Sequence, residues 1–337
     1  MAESFHLITG ASGLLGSHIA EQLTQQRERV VAVVRPTSET SFLRRLGIEL
    51  RSADLLDQVA LQSACQGARV VYHCAAKVGD WGIWSEFHKH SVVATRNLVR
   101  ACRSAGVQRL LHVSGISVYG VLKHPSRPIT ETDPLEQNVP QGDHYARAKI
   151  LAEEEAQLFP RCTVVRPAWF YGVRDRATIA RVVKALRAGR GVLIGAGNNR
   201  LSLVHAADVA RGSILAANLP QAEGRIYNLS CTVGIKQKEL LDLITRHLGL
   251  APVKRQVPYV LADGLAWAAE WLARWIHPTK PPLLTRRAVY LIGRSTVYSS
   301  ARARAELGWR PQVDIREGIR EALDWYLATE RNPDEKV

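Results

Sequence analysis

The run "FHLITGASGLLGSHIAEQL", residues 5–23, begins as a short apolar strand and ends in the pattern of an amphipathic helix. Between the two, Gly10, Gly13 and Gly16 stand three residues apart. A phosphate held by backbone N–H groups needs close approach, which side chains obstruct, and a helix N-terminus adds favourable partial charge. Glycines here supply the tight turn, the approach to the ligand and the close packing of helix on strand. A plain glycine-rich turn is the alternative. Strand before and helix after favour a dinucleotide site, with Gly10, Gly13, Leu14, Leu15 and Gly16 as its contacts.

The next strand, "RVVAVV", ends at Arg35. NAD sites usually carry Asp or Glu here, to accept from the adenosine ribose hydroxyls. Arg35 can only donate and offer positive charge, which suits the extra phosphate of NADP(H) over NAD(H). A third short strand runs into Asp54 and Leu55 in "LRSADLLD". Asp54 is placed to accept from the adenine amino group or to cap its own loop.

Strands and helices alternate to about residue 170, the pattern of an α/β, Rossmann-type doubly wound parallel sheet. The expected division is a dinucleotide-binding domain over 1–171, with returning segments at about 201–231 and 297–330. Residues 172–200 and 232–296 then form a smaller, discontinuous substrate domain. At 337 residues, 46% hydrophobic and 23% charged, the chain can bury a large core and reads as a globular protein. No basic region precedes the first strand, as a signal peptide requires, and no run of about 18 apolar residues spans a membrane. Five cysteines without a C-x-x-C pair read as reduced core residues of a cytoplasmic protein. The formal charge of +14 calls for anionic partners. It is dispersed and accompanies no nucleic-acid motif, so nucleic acid is not expected. "HKH" at 88–90 lacks a third ligand, so no metal is expected.

In "HYARAKILAEEE", residues 144–155, Tyr145 and Lys149 lie one helical turn apart and share a face. Spacing alone leaves open a catalytic pair or two ordinary surface positions, and "AEEE" reads as a solvated face.

Read together, "TGASGLLG", "VVYHCAAKVGDWG", "HVSGISVYG", "HYARAK", "RPAWFYG" and "LVHAADVA" resemble the extended short-chain dehydrogenase/reductase family, over roughly residues 5–326. "AAKVGDWG" and "KPPLLTRRAVYLIG" are most similar to its 3β-hydroxysteroid dehydrogenase and 2-alkyl-3-oxoalkanoate reductase branch. The resemblance implies an NAD(P)-dependent oxidoreductase with Tyr145 as general acid/base and Lys149 as its electrostatic partner. A free tyrosine keeps its proton to about pH 10 and can give it to a forming alkoxide, and a nearby ammonium stabilises the phenolate. By the same resemblance Ala75, Ala76 and Lys77 line the cofactor, Pro167 meets the nicotinamide, and His205 and Asp208 shape the substrate domain. Ser91 stands where the family often has Asn. Four residues before Tyr119 the family usually has Ser or Thr, bonded to the substrate oxygen; this chain has Gly115, between Ser114 and Ser117. A bulge at Gly115 is expected to turn Ser114, ahead of Ser117, toward cofactor and substrate, the alternative being a missing donor.

Trp267, Trp271 and Trp275 recur every four residues and share one helix face, within 259–277. Such a stripe is usually buried on its own protein or on a homodimer mate. The other reading is an interfacial helix at a membrane, with Arg274, Lys280, Arg286 and Arg287 toward anionic lipid. Trp81, Trp84 and Tyr171 are expected to line an apolar pocket. The favoured reaction is interconversion of 3-hydroxy and 3-oxo groups on a steroid-like or long-chain substrate. The alternatives are a nucleotide-sugar epimerase/dehydratase, with Arg174, Arg176 and Arg200 on the diphosphate, and a non-catalytic dinucleotide-binding protein.

Overall fold

The computed structural model describes residues 4–120, 127–140, 142–231, 233–276, 279–282 and 284–331. Seven parallel strands form the central sheet: β1 (Phe5–Thr9), β2 (Val30–Val34), β3 (Glu49–Ser52), β4 (Ala68–His73), β5 (Arg109–Val113), β6 (Cys162–Pro167) and β7 (Ile226–Leu229), in the order β7-β6-β5-β4-β1-β2-β3. The apolar runs of β1, β2 and β4 are buried because helices cover both faces, as a parallel sheet requires. On one face lie α1 (Leu14–Gln25) and α5 (Ala206–Asn218), packed on Ile8, Leu111 and Val113. On the other lie α2 (Gln58–Cys65), α3 (Ala94–Ser104) and α4 (His144–Gln157), packed on Leu7, Val71 and Leu110.

From β1 the chain winds outward through β2 and β3, then crosses back to β4 on the other side of β1. This reversal opens a crevice at the carboxyl ends of β1 and β4, the place where doubly wound sheets bind ligands.

After β6 the strand Trp169–Tyr171 pairs with Leu203–His205, away from the main sheet. Beyond them Leu193–Ile194 pairs with Gln256–Val257. Two helices complete this side, α6 (Tyr259–Ile276) and α7 (Arg286–Gly293), packed on one another around Ala262, Ala266 and Val289. Within 297–331 the chain divides: the helix Ala301–Leu307 returns to α5 and β7, whereas α8 (Ile315–Arg331) packs on the helices Thr178–Arg187 and Gln237–His247.

Candidate active site

Gly10 ends β1 with φ +70, a left-handed conformation. A Cβ on it would lie 2.7 Å from the Ala75 nitrogen, so the turn is pressed against the residue that follows β4. A Cβ on Gly16 would stand 2.2 Å from the Gly10 carbonyl oxygen. Gly13 is the N-cap of α1 and has no side chain to bond the first turn of the helix. The first-turn N–H groups, at Leu14 and Leu15, thus receive no cap from the residue that begins the helix. A cleft of about 270 Å³ adjoins this turn, lined among others by Ala11, Ser12, Phe42, Arg174 and Arg176. These features fit a dinucleotide diphosphate: a backbone cradle that side chains would fill, with cations close by.

Arg174 and Arg176 lie here rather than in the smaller lobe, which corrects their assignment to a second diphosphate site. Arg174, itself at φ +73, donates to Ser17 (2.9 Å), His18 (3.0 Å) and Glu21 (2.7 Å) and lies over the Phe42 ring. It braces α1. Arg176 pairs with Glu39 (2.7 Å). Partial burial pushes the Glu39 carboxyl up, but bonds from Ser41 and Arg176 outweigh it and hold the group below the usual range. Arg200 alone of the three lines the second cleft, of about 310 Å³, with Ile116, Trp169, Tyr290, Arg294 and Tyr298.

Arg35 follows β2 and is exposed; its N–H donates to Ser38 Oγ (3.0 Å), and among the described residues its guanidinium has no partner. Asp54 caps its own loop, Oδ1 accepting from the Leu56 N–H (2.9 Å), and the Leu55 carbonyl accepts from Asn97. Ala75, Ala76 and Lys77 continue β4 past the crevice, where the Lys77 N–H donates to Ser91 Oγ (3.2 Å). Ser91 thus anchors this loop. The Ser91 carbonyl accepts from Thr95, and Thr95 meets His73, which in turn meets Thr9 at the end of β1.

On α4, Asp143 caps the N-terminus by accepting from the Ala146 N–H (3.0 Å). Tyr145 and Lys149 follow on one face, Tyr145 half-buried and Lys149 buried. Lys149 Nζ donates to the Val113 carbonyl at the end of β5 (2.9 Å), leaving two of its three donors for a ligand. Burial, with a smaller push from the Lys149 ammonium, lowers His73 to about 3. Burial also lowers His112 well below its usual value, so both imidazoles stay neutral beside the lysine. One turn further, Glu153 is fully buried and ion-paired with Arg166 of β6. That corrects the reading of "AEEE" as a solvated face. Arg166 also donates to Tyr119 Oη (2.8 Å), which donates to Asn228 (2.7 Å).

The 114–117 turn holds a further departure from expectation. Gly115 is extended, at φ 170, and the chain then coils into a 3-10 turn at Ile116–Tyr119 without a bulge. A Cβ on Gly115 would meet only Ser117 Oγ (3.8 Å) and the Pro167 carbonyl oxygen (3.9 Å). A side chain at 115 would therefore stand at ordinary contact distance from the Ser117 hydroxyl. Ser114 continues the β5–β6 ladder through Val165. Both hydroxyls are buried and have no protein partner among the described residues.

Trp84 packs with Tyr145 around Phe87 and Ala148, under the Arg147 guanidinium. Trp81 lies under Arg274, 5.7 Å from guanidinium to ring. Tyr171 is not brought to this group. It is buried against His205, and its hydroxyl donates to the Ile315 carbonyl (3.3 Å). His205 caps α5, and Asp208 accepts from the Gln312 and Val313 N–H groups, both shaping roles. Among the described residues no His, Cys, Asp or Glu cluster could hold a metal, "HKH" included. Sequence reasoning missed Arg287, expected to face lipid: it turns inward, bonds both carboxylate oxygens of Asp143 and lies 4.7 Å over the Tyr145 ring. Nothing local signals this, since 144 residues separate the pair.

A glycine cradle at the sheet's reversal and a tyrosine–lysine helix beside it define a dinucleotide-dependent oxidoreductase of the extended short-chain class. The profile of the NAD dependent epimerase/dehydratase family matches residues 6–230, and the chain belongs to that family. It is an NAD-dependent enzyme of the dehydrogenase/reductase kind, acting on CH–OH or keto groups. It is similar to the 2-alkyl-3-oxoalkanoate reductase of Stenotrophomonas maltophilia, 28% identical over 93% of this chain and 97% of that one. The 4-hydroxy-2-methyl-3-oxo-4-farnesyl-3,4-dihydroquinoline-1-oxide ketoreductase of Stigmatella aurantiaca is 29% identical, over 93% of each chain. Among solved structures, gox2253 superposes with a TM-score of 0.81 and 28% identity, covering 98% of this chain and 99% of that one.

Proposed function

We propose that the protein interconverts a 3-hydroxy and a 3-oxo group on a bulky apolar substrate, steroid-like or a long-chain acid, with NADP(H) favoured over NAD(H). One observation carries the reading: Tyr145 and the buried Lys149 stand on one helix face beside two buried hydroxyls that have no protein partner among the described residues. The substrate types in the names of the two relatives, a 3-oxoalkanoate and a farnesyl-bearing ketone, support its substrate class.

The Gly10–Gly16 turn would hold the diphosphate, Arg35 the adenosine 2′-phosphate, Lys149 the nicotinamide ribose, and Ala75, Ala76 and Pro167 the walls. Bound there, the nicotinamide supplies or accepts the hydride. Tyr145 gives its phenolic proton to the carbonyl oxygen as it becomes alkoxide, or takes it back in oxidation. Lys149, fixed through Val113, stabilises the phenolate that remains. Ser117 donates to the same oxygen, in place of the family's residue at 115. Part of this reading is that the protein works at a membrane surface, through 259–277.

A second reading, nucleotide-sugar epimerase or dehydratase, rests on Arg200 and Arg294 lining the 310 Å³ cleft. Turnover followed by nicotinamide fluorescence with steroids, 3-oxo acids and UDP-sugars separates the two. Tyr145→Phe should lower turnover by about 10²–10⁴-fold with cofactor binding intact, and Arg35→Asp should reverse a preference for NADPH. Wild-type rates in Tyr145→Phe overturn the catalytic assignment, and tighter NADH binding in the wild type overturns the cofactor preference.

A further inference from the structure

Helix α6 is built inside out. Its inward edge is alanine: Ala262 and Ala266 are buried, and Ala269 and Ala273 half-buried. Its outward face carries Val260, Leu261, Leu265, Trp267, Trp271, Leu272, Trp275 and Ile276, all exposed, with Trp275 at 76%. Alanines let α6 approach α7 closely and leave the large side chains for something outside the described fold. A contiguous apolar face of this kind marks an interaction surface. Tryptophan in particular settles at the boundary between water and acyl chains.

We propose that this face docks on an anionic lipid bilayer. The inference rests on the membrane contact in the reading above and adds the face, the lipid charge and the orientation. Charge decides between a bilayer and a second copy of the chain. Exposed cations flank α6 along the chain, Lys254 and Arg255 before it and Lys280 and Arg294 after it, with Arg294 lying over the Tyr259 ring at the start of the helix. The acids of the helix, Asp263 and Glu270, are paired with Arg286 and Arg274, and Glu270 also accepts from the Arg286 N–H, so the flanking cations are left without acids of α6 to neutralise them. A two-fold dimer through this patch would set its cationic rim against itself, whereas anionic headgroups supply the countercharge. No described helix is long and apolar enough to cross the bilayer, so α6 lies in its interface. The position also serves the site. Arg274 of α6 lies over Trp81, and Arg287 of α7 lies over Tyr145, so the helix pair that docks also borders the proposed catalytic tyrosine.

The test mixes the full chain, without substrate, with vesicles of phosphatidylcholine alone or with phosphatidylglycerol, and separates bound protein by flotation. Binding should be at least about tenfold stronger to the anionic vesicles and weaken with salt. Brominated acyl chains should quench tryptophan emission of the wild type. The variant Trp267→Ser/Trp271→Ser/Trp275→Ser should stay folded, lose the quenching and bind about a hundredfold more weakly. No flotation, equal binding to neutral vesicles, or a wild-type dimer that becomes monomeric in the triple variant overturns the proposal. Turnover is not part of the readout, so failure here leaves the proposed chemistry standing, and failure of the chemistry leaves this result standing.

Discussion

On α4 two charged residues, Lys149 and Glu153, turn inward; on α6 the tryptophans turn outward. Both depart from ordinary burial, in which lysine and glutamate are solvated and tryptophan is covered. Lys149 is 6% exposed and Glu153 0%, whereas Trp267 and Trp271 are 59% and 56% exposed. The inversions differ in what completes them. On α4 the protein itself supplies a partner for each: the Val113 carbonyl for Lys149, which keeps two donors for a ligand, and the Arg166 guanidinium for Glu153. On α6 nothing in the described fold covers the apolar face. An inward charge anchored inside the fold serves the shape of a site, and an outward aromatic stripe serves a surface beyond the fold.

The comparison breaks hardest at Glu153. Glu153→Gln keeps the shape and removes the charge that neutralises buried Arg166. Breaking a buried pair from one side costs about 3–5 kcal/mol. Urea unfolding should show that loss as a lower midpoint with an unchanged slope. A change below about 1 kcal/mol would mean that water reaches Arg166, and that α4 is not inverted in the sense argued.

Next in size is the turn that α4 faces. Ser117→Ala should lower kcat by about 10²-fold, the usual effect of one oxyanion donor, with cofactor affinity unchanged. Ser114→Ala should cost less. Gly115 is extended and a Cβ there meets nothing closer than 3.8 Å, so Gly115→Ser is sterically free. Introduced into the Ser117→Ala protein, it should recover most of the rate. A larger loss in Ser114→Ala than in Ser117→Ala would return the donor role to Ser114.

The bridge between the two helices is smaller again. Arg287→Ala removes the cation over Tyr145 and the pair with Asp143, a stacking contribution of about 0.5–2 kcal/mol. Turnover should fall about tenfold while NADPH affinity holds. Equal loss of cofactor affinity would make Arg287 a general brace of α4, without a specific effect on Tyr145.

What the sequence disclosed divides along the same line. Gly10, Gly13 and Gly16, and the Tyr145–Lys149 spacing, are local, and local patterns state their own geometry. Periodicity put the three tryptophans on one face but carries no information about which way that face turns. Glu153 looked solvated because its partner is on another element, 13 residues away and read as a strand. Arg174 reaches across 157 residues to Ser17, a contact no spacing announces. At Gly115 the alternation rule for strands suggested a bulge, whereas the strand ends at Val113 and a 3-10 turn follows at Ile116–Tyr119, with Ser117 Oγ 3.8 Å from where a Cβ on Gly115 would stand.

The smallest expected effect is on the folding of α6 itself. If the tryptophan face is turned to a surface outside the fold, the isolated protein gains little from it. Trp271 still touches Trp275, ring centroids 6.2 Å apart, so the face is not energetically silent. Yet more than half of its surface remains in water, and exposed substitutions away from caps and pairs stay within about 0.5 kcal/mol. Trp271→Ser should therefore leave the urea midpoint almost unmoved in the absence of vesicles. The contrast with Glu153→Gln is the measure: two residues on inverted helices, one indispensable to folding and the other nearly neutral. A loss above about 2 kcal/mol for Trp271→Ser would mean that the stripe is already covered in solution. In that case the cover must be a second copy of the chain, and the midpoint would rise with protein concentration.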